Sequence, residues 1–235
     1  LPKVESPVAG KGTDLTQSTA LVLLSIVHDG ILQPCTGIVL ENGQILTAGH
    51  CFLGISPNDF AAKVYLRWVD LDPQTFKLHA RSEHVLVRSV LASPDLDLAL
   101  VRVGPQEPIP SRRAVISDIK INLNLRALVP GPSAFSVEAT QVDFESSLGY
   151  FSGTETELRY DSEVKGGFSG APVMAVAPEL VSNPGEFFKP ARLNVIGLHL
   201  GLKNGIGFGI SGVKIMEFLI AFQALPFQLS SSFSN

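Results

Sequence analysis

Cys35-Thr-Gly-Ile-Val-Leu-Glu-Asn-Gly-Gln-Ile-Leu-Thr-Ala-Gly-His-Cys51 is the stretch that decides the fold. Its first part, Thr36-Gly-Ile-Val-Leu40, is short, apolar and β-branched, as a buried strand is. Glu41-Asn42-Gly43 follows, and Asn-Gly is the strongest short-range hairpin signal. Gln44-Ile-Leu-Thr47 resumes the strand and ends at a histidine held beside a cysteine. A strand pair that delivers a histidine to its end predicts a β architecture carrying chemistry.

Outward from this hairpin, the same grammar repeats. Ala20-Leu-Val-Leu-Leu-Ser-Ile-Val27 reads as a buried strand and is too short to span a membrane. Residues 63–69 and 84–90 alternate polar and apolar side chains. Residues 98–103 form an apolar strand ended by Gly104-Pro105. Further strands are expected at 126–129, 137–144, 156–160, 171–176 and 193–199. Pro130-Gly-Pro132 reads as a turn, and residues 178–190 as a long surface loop rich in Pro, Gly and polar residues. One helix is expected at 213–223, with Ser211 as its N-cap. Many short strands plus a terminal helix predict an all-β chain in two halves, divided in the proline-containing stretch 106–113.

Composition agrees. The 235 residues are 45% hydrophobic and 17% charged, which favours a buried core over disorder. The net charge of -4 provides no basic footprint, so no nucleic-acid partner is expected. No apolar run predicts a membrane partner. No His/Cys cluster has metal-ligand spacing, and no cofactor is expected. The chain begins at Leu1, as a chain that has lost a signal or pro-segment would. Cys35 and Cys51 are either one disulfide in an oxidising compartment or two buried thiols, and composition leaves both open.

Three segments carry candidate chemistry. Thr47-Ala-Gly-His50-Cys51 offers an imidazole, the side chain that titrates near neutral pH. Asp95-Leu-Asp97-Leu-Ala-Leu100 opens a strongly apolar strand with an acid. A buried carboxylate needs a partner, and an imidazole N–H is one. Gly166-Gly-Phe-Ser169-Gly-Ala-Pro-Val173 surrounds a serine with glycines, which permits close approach of a substrate carbonyl to backbone N–H groups. The chain order is His, Asp, Ser, one of the orders in which nucleophilic triads occur.

These segments together resemble the chymotrypsin-like serine proteases. The resemblance implies two six-stranded antiparallel β-barrels with a C-terminal helix: an N-terminal barrel over residues 1–107 with His and Asp, and a C-terminal barrel over 108–235 with Ser. It implies a Cys35–Cys51 disulfide, a triad of His50, Asp97 and Ser169, and an oxyanion hole from the N–H groups of Gly167 and Ser169. Asp97 is chosen over Asp95 because it directly precedes Leu-Ala-Leu. The implied function is a secreted or periplasmic monomeric serine endopeptidase, a hydrolase acting on polypeptide substrates. A catalytically silent relative that binds a partner through the same cleft is the alternative, and a self-limited protease a third reading.

Tyr160-Asp-Ser-Glu-Val-Lys-Gly-Gly-Phe-Ser-Gly-Ala-Pro-Val173 and Val195-Ile-Gly-Leu-His199 are similar to bacterial glutamyl endopeptidases of the staphylococcal type. That resemblance implies a substrate pocket involving His199, Val164 and Glu163, with Gly201 on the strand that pairs with substrate. His199 argues for an acidic P1 residue, Glu163 for a basic one and Val164 for a small apolar one. Phe168 stands where trypsin-like enzymes carry the Asp that pairs with a newly cut N-terminus. It excludes activation of that kind and is expected to alter the oxyanion-hole peptide.

Overall fold

The computed structural model describes residues 14–118, 124–133, 142–152, 157–180 and 183–223. The strands are β1 Ser18–His28, β2 Ile31–Val39, β3 Ile45–Ala48, β4 Val64–Leu71, β5 Leu78–Ala80, β6 Val85–Ser93 and β7 Leu98–Val103. They continue as β8 Arg113–Ile116, β9 Arg126–Pro132, β10 Val142–Tyr150, β11 Glu157–Tyr160, β12 Pro172–Val176, β13 Arg192–Val195, β14 Gly197–Lys203 and β15 Ile206–Ser211. Helices are a single turn, α1 Phe60–Lys63, and α2 Gly212–Gln223.

Six strands close on themselves in the order β1-β2-β3-β7-β6-β4, with β4 returning to β1. Every pairing in this ring is antiparallel. Closure explains the long apolar run of β1. Val22, Leu24 and Ile26 point into the barrel with Val39, Ile45, Ala99 and Val101. The alternate residues Leu21 and Leu23 point outward, yet they are buried too, against Leu128, Met174, Leu198 and Phe218 of the chain's second half. A strand with both faces covered has no solvent side, so hydrophobicity is continuous.

β5 pairs with both β4 and β10, and the series continues β10-β9-β12-β14-β15-β11. The two ends of this second series meet at one bridge, Phe151 to Tyr160. β8 and β13 form a separate parallel pair that the sequence does not foretell. α2 lays Ile215 and Phe218 into the shared core, with Leu219 and Phe222 partly buried beside them. That i, i+3, i+4, i+7 spacing is the apolar stripe of a docked helix.

Several expectations need correction. Pro130-Gly-Pro132 is strand, not turn. β12 pairs β9 only over Arg126 to Leu128, so the prolines lie where that side of β9 has no ladder N–H to supply. Residues 178–190 are not a simple surface loop: they contain two 3₁₀ turns, and Phe188 is buried in the shared core. An aromatic side chain that can reach the core goes there despite polar neighbours. Ser211 ends β15, and its buried hydroxyl has no partner among the described residues, so it does not cap α2. The strand expected at 137–144 lies partly outside the described residues; the observed one is β10.

Cys35 and Cys51 form the one disulfide among the described residues, with a sequence separation of 16. It ties β2 to the 3₁₀ turn Gly49–Phe52. By loop entropy, replacing both cysteines with alanine should cost about 3 kcal/mol. The drop is to be read from the urea midpoint at unchanged slope.

Candidate active site

The 3₁₀ turn Gly49–Phe52 directly follows β3, and Asp97 directly precedes β7. β3 and β7 are paired neighbours, which brings the two together. Gly49 N–H donates to the Asp97 carbonyl at 2.9 Å. The Asp97 carboxylate then takes two further bonds. Oδ1 accepts the His50 backbone N–H at 2.6 Å, and Oδ2 lies 2.8 Å from His50 Nδ1. Such a two-point grip sets both the position and the ring orientation of His50. Asp97 adopts φ 53°, a left-handed conformation that Asp tolerates better than most residues. His50 and Asp97 remain about one-third exposed, with 35% and 33% side-chain accessibility, whereas Asp95 is exposed.

Ser169 sits between two glycines of positive φ in its loop, Gly167 at 98° and Gly170 at 83°. Gly170 is packed so closely that an added Cβ would fall 2.1 Å from the Thr36 carbonyl oxygen. Its N–H donates to the His199 carbonyl at 2.8 Å. The Ser169 carbonyl accepts from Thr36 N–H at 2.8 Å, so the serine loop rests on β2, one residue from the disulfide. Ser169 Oγ donates to the Leu200 carbonyl at 3.5 Å, and no His50–Ser169 hydrogen bond is present among the described residues. Hydrogen bonds of this type tighten when substrate binds.

Phe168, the departure noted in the sequence, is fully buried. Its ring packs with Ala127, Val129, Tyr160, Val164 and Val173. It occupies the space over Gly131, where an added Cβ would lie 2.3 Å from the ring. Its N–H donates to the Lys165 carbonyl at 3.3 Å. The N–H groups on either side, those of Gly167 and Ser169, have no acceptor among the described residues.

The predicted pocket residues divide. His199 is 2% exposed and Val164 is buried, while Glu163 and Lys165 point to solvent. Lys165 pairs with Glu145 at 2.7 Å. Tyr160 Oη lies 2.6 Å from His199 Nδ1. Burial, and then the nearby charge of His50, push the His199 pKa down to about 4. Burial also pushes the Tyr160 hydroxyl well above its usual range, so it stays protonated. Gly201 lies past a register shift in β14, with the Phe208 ring 3.2 Å from where its Cβ would be. β12 pairs β14 at Gly197 and Leu198, the serine loop continues that contact through His199, whose N–H donates to the Ala171 carbonyl at 2.8 Å, and from Gly201 onward β14 pairs only with β15 among the described residues.

Tyr160 and Thr36 are the contributors that sequence reading passes over. Both lie far from their partners along the chain, and no local pattern marks them. The buried Asp70 carboxylate is taken by Ser18 Oγ at 2.6 Å and Arg81 Nε at 2.8 Å. No metal-binding group of three or more ligands occurs among the described residues.

No curated protein matches the chain. Among solved structures, the active form of the Rv3671c protease from M. tuberculosis aligns with TM-score 0.58 and 14% identity, covering 89% of this chain and 83% of that one. An inactive serine-to-alanine form of Rv3671c, from M. tuberculosis H37Rv, aligns with TM-score 0.56 and 15% identity, covering 89% of each. At this identity the likeness is one of fold, and the fold is chymotrypsin-like. The family model for the trypsin-like peptidase domain matches residues 35–181, more than half of the chain. The matched region begins at the disulfide cysteine of β2 and runs past the serine loop, and on that match the chain belongs to the trypsin-like peptidase domain family.

Proposed function

We propose that the protein is a secreted serine endopeptidase in which Ser169 is the nucleophile, His50 its general base and Asp97 the residue that orients His50. The observation that carries this reading is the pair of hydrogen bonds that the Asp97 carboxylate accepts from His50, set beside a serine loop with two unoccupied N–H groups. The Asp97 carboxylate accepts a hydrogen bond from Nδ1–H, which leaves Nε2 as the base. Ser169 loses its proton to Nε2 and attacks the scissile carbonyl. The Gly167 and Ser169 N–H groups stabilise the oxyanion. His50 then protonates the leaving amine, and water hydrolyses the acyl-enzyme by the same steps.

The cleft is proposed to lie between an N-terminal barrel (1–107) and a C-terminal barrel (108–235). Extended substrate would pair along the open edge of β14 near Gly201. Secretion accords with the disulfide. No helix among the described residues is long and apolar enough to cross a membrane. Phe168 bears on the silent-binder alternative. Its burial in the core leaves the two flanking N–H groups available, which favours the active reading.

An acidic P1 residue is the proposed preference, carried by His199. With Tyr160 donating to Nδ1, the His199 proton sits on Nε2 and the ring is neutral above about pH 4. A P1 carboxylate would receive a hydrogen bond rather than an ion pair. Its advantage over the uncharged amide should then be about tenfold or less at neutral pH. Cleavage-site profiling on a mixed peptide library measures that ratio. A basic or aromatic P1 preference would overturn the acidic reading.

A fluorophosphonate probe should label the wild type and not Ser169→Ala. Asp97→Asn should lower kcat by about 10⁴-fold by leaving the wrong tautomer. Unlabelled but folded wild-type protein would refute the proposal.

The low pKa of His199 also sets a stability profile. Its folded value, about 4, lies below the unfolded value of about 6.5, so the unfolded chain takes up the proton first as pH falls. Stability is complete above pH 6.5 and declines toward pH 4, by up to on the order of 3 kcal/mol from this group. Urea midpoints across that range should show the decline in wild type and a flatter profile in His199→Gln.

A further inference from the structure

We infer that Thr36 is a positioning residue for the oxyanion hole: its hydroxyl holds the Gly167 carbonyl, and so fixes the peptide that links the two peptides carrying the Gly167 and Ser169 N–H groups. The inference rests on the serine-peptidase reading of Ser169. Thr36 is fully buried in β2, and its Oγ1 donates to the Gly167 carbonyl at 2.8 Å. Its backbone N–H donates to the Ser169 carbonyl at 2.8 Å. One residue of the first barrel thus grips the loop on both sides of Phe168.

Each peptide plane from Gly167 to Gly170 is accounted for. In the 167–168 peptide, the carbonyl is held by Thr36 Oγ1 and the N–H by the Lys165 carbonyl. In the 168–169 peptide, the carbonyl accepts from Ala171 N–H at 2.8 Å. In the 169–170 peptide, the carbonyl is held by Thr36 N–H and the N–H by the His199 carbonyl. The N–H groups of Gly167 and Ser169 are what remains.

A peptide bond is planar, so fixing the Gly167 carbonyl fixes the whole 167–168 peptide, which lies between the two peptides that carry the Gly167 and Ser169 N–H groups and limits how each can turn about the α-carbon it shares with it. Gly167 has no Cβ to restrict its own rotation, and its φ of 98° is one that side-chain-bearing residues rarely adopt. Its orientation must therefore come from outside. Pro34 and Pro132 crowd the Gly167 α-carbon, with an added Cβ falling 3.1 Å and 2.6 Å from their rings. Among the described residues, only the Thr36 hydroxyl bonds its carbonyl. Thr36 is in turn steadied by Thr47 Oγ1, which donates to the Thr36 carbonyl at 2.6 Å. A hole held this way requires no charge at the position of Phe168.

Thr36→Val keeps the shape and the backbone N–H but deletes the hydroxyl. It should lower kcat by about 10²-fold, the scale of a small misplacement at the reacting centre, with KM little changed. Binding of a peptide aldehyde, which forms the tetrahedral adduct, should weaken in parallel, while binding of the corresponding product peptide should not. Thr36→Ser should recover most of the kcat. Wild-type kcat in folded Thr36→Val, or an equal loss of aldehyde and product-peptide binding, overturns the proposal. If Thr36→Val does not fold, Thr36→Ala is compared with Thr36→Ser, and equal kcat values overturn it. Fluorophosphonate labelling of wild type separates the two claims. An unlabelled wild type removes the peptidase reading and this proposal together. A labelled wild type with an unimpaired Thr36→Val removes this proposal alone.

Discussion

Everything at the candidate site depends on how the serine loop is fastened to β2. The loop belongs to the second half of the chain and the strand to the first, and two hydrogen bonds from Thr36 join them. Cys35, the preceding residue, is bridged to Cys51, which follows His50. One covalent link therefore joins the strand on which the serine loop rests to the turn that contains His50. Residues contributed by separate segments need such a common anchor, because small errors of placement are large on the scale of hydrogen-bond geometry.

The anchor works because its surroundings are rigid. β1, β2, β3 and β7 bury both faces, one inside the closed barrel and the other against the second half. Close packing on two sides leaves little freedom for a strand to shift. Asp97 is placed by the same logic: β3 and β7 are paired, so the residue before β7 reaches the turn after β3. Phe168 extends it into the second half. Where an ion pair would need a charged partner, a buried ring needs only a cavity of matching shape, and Gly131 supplies part of it.

The Tyr160–His199 pair shows burial changing the chemistry of a residue type. A histidine in water is partly charged near neutral pH. Enclosed, and bonded to a hydroxyl that stays protonated, it is a neutral hydrogen-bond donor. In the proposed pocket it would thereby be a weaker reader of charge than its identity implies.

Much of this was legible in the amino-acid order alone. Asn42-Gly43 encoded its hairpin, the unbroken apolar run of β1 encoded a doubly covered strand, and the 213–223 stripe encoded a docked helix, because turn chemistry and periodicity are local properties. His50, Asp97 and Ser169 stood out because each lies in a short segment of unusual composition. Tertiary structure alone decided the rest. It decided that Pro130 and Pro132 lie in a strand paired with β10 on one side, where its other neighbour, β12, has ended. It turned Phe168 and Phe188 into core, and left Glu163 facing solvent while Val164 did not. It brought Thr36 to Gly167, 131 residues away in sequence, and Tyr160 to His199. Those contacts join residues whose local sequence carries no mark of the other, since a hydrogen bond across a fold depends on where two backbones meet, and that is settled by packing the whole chain.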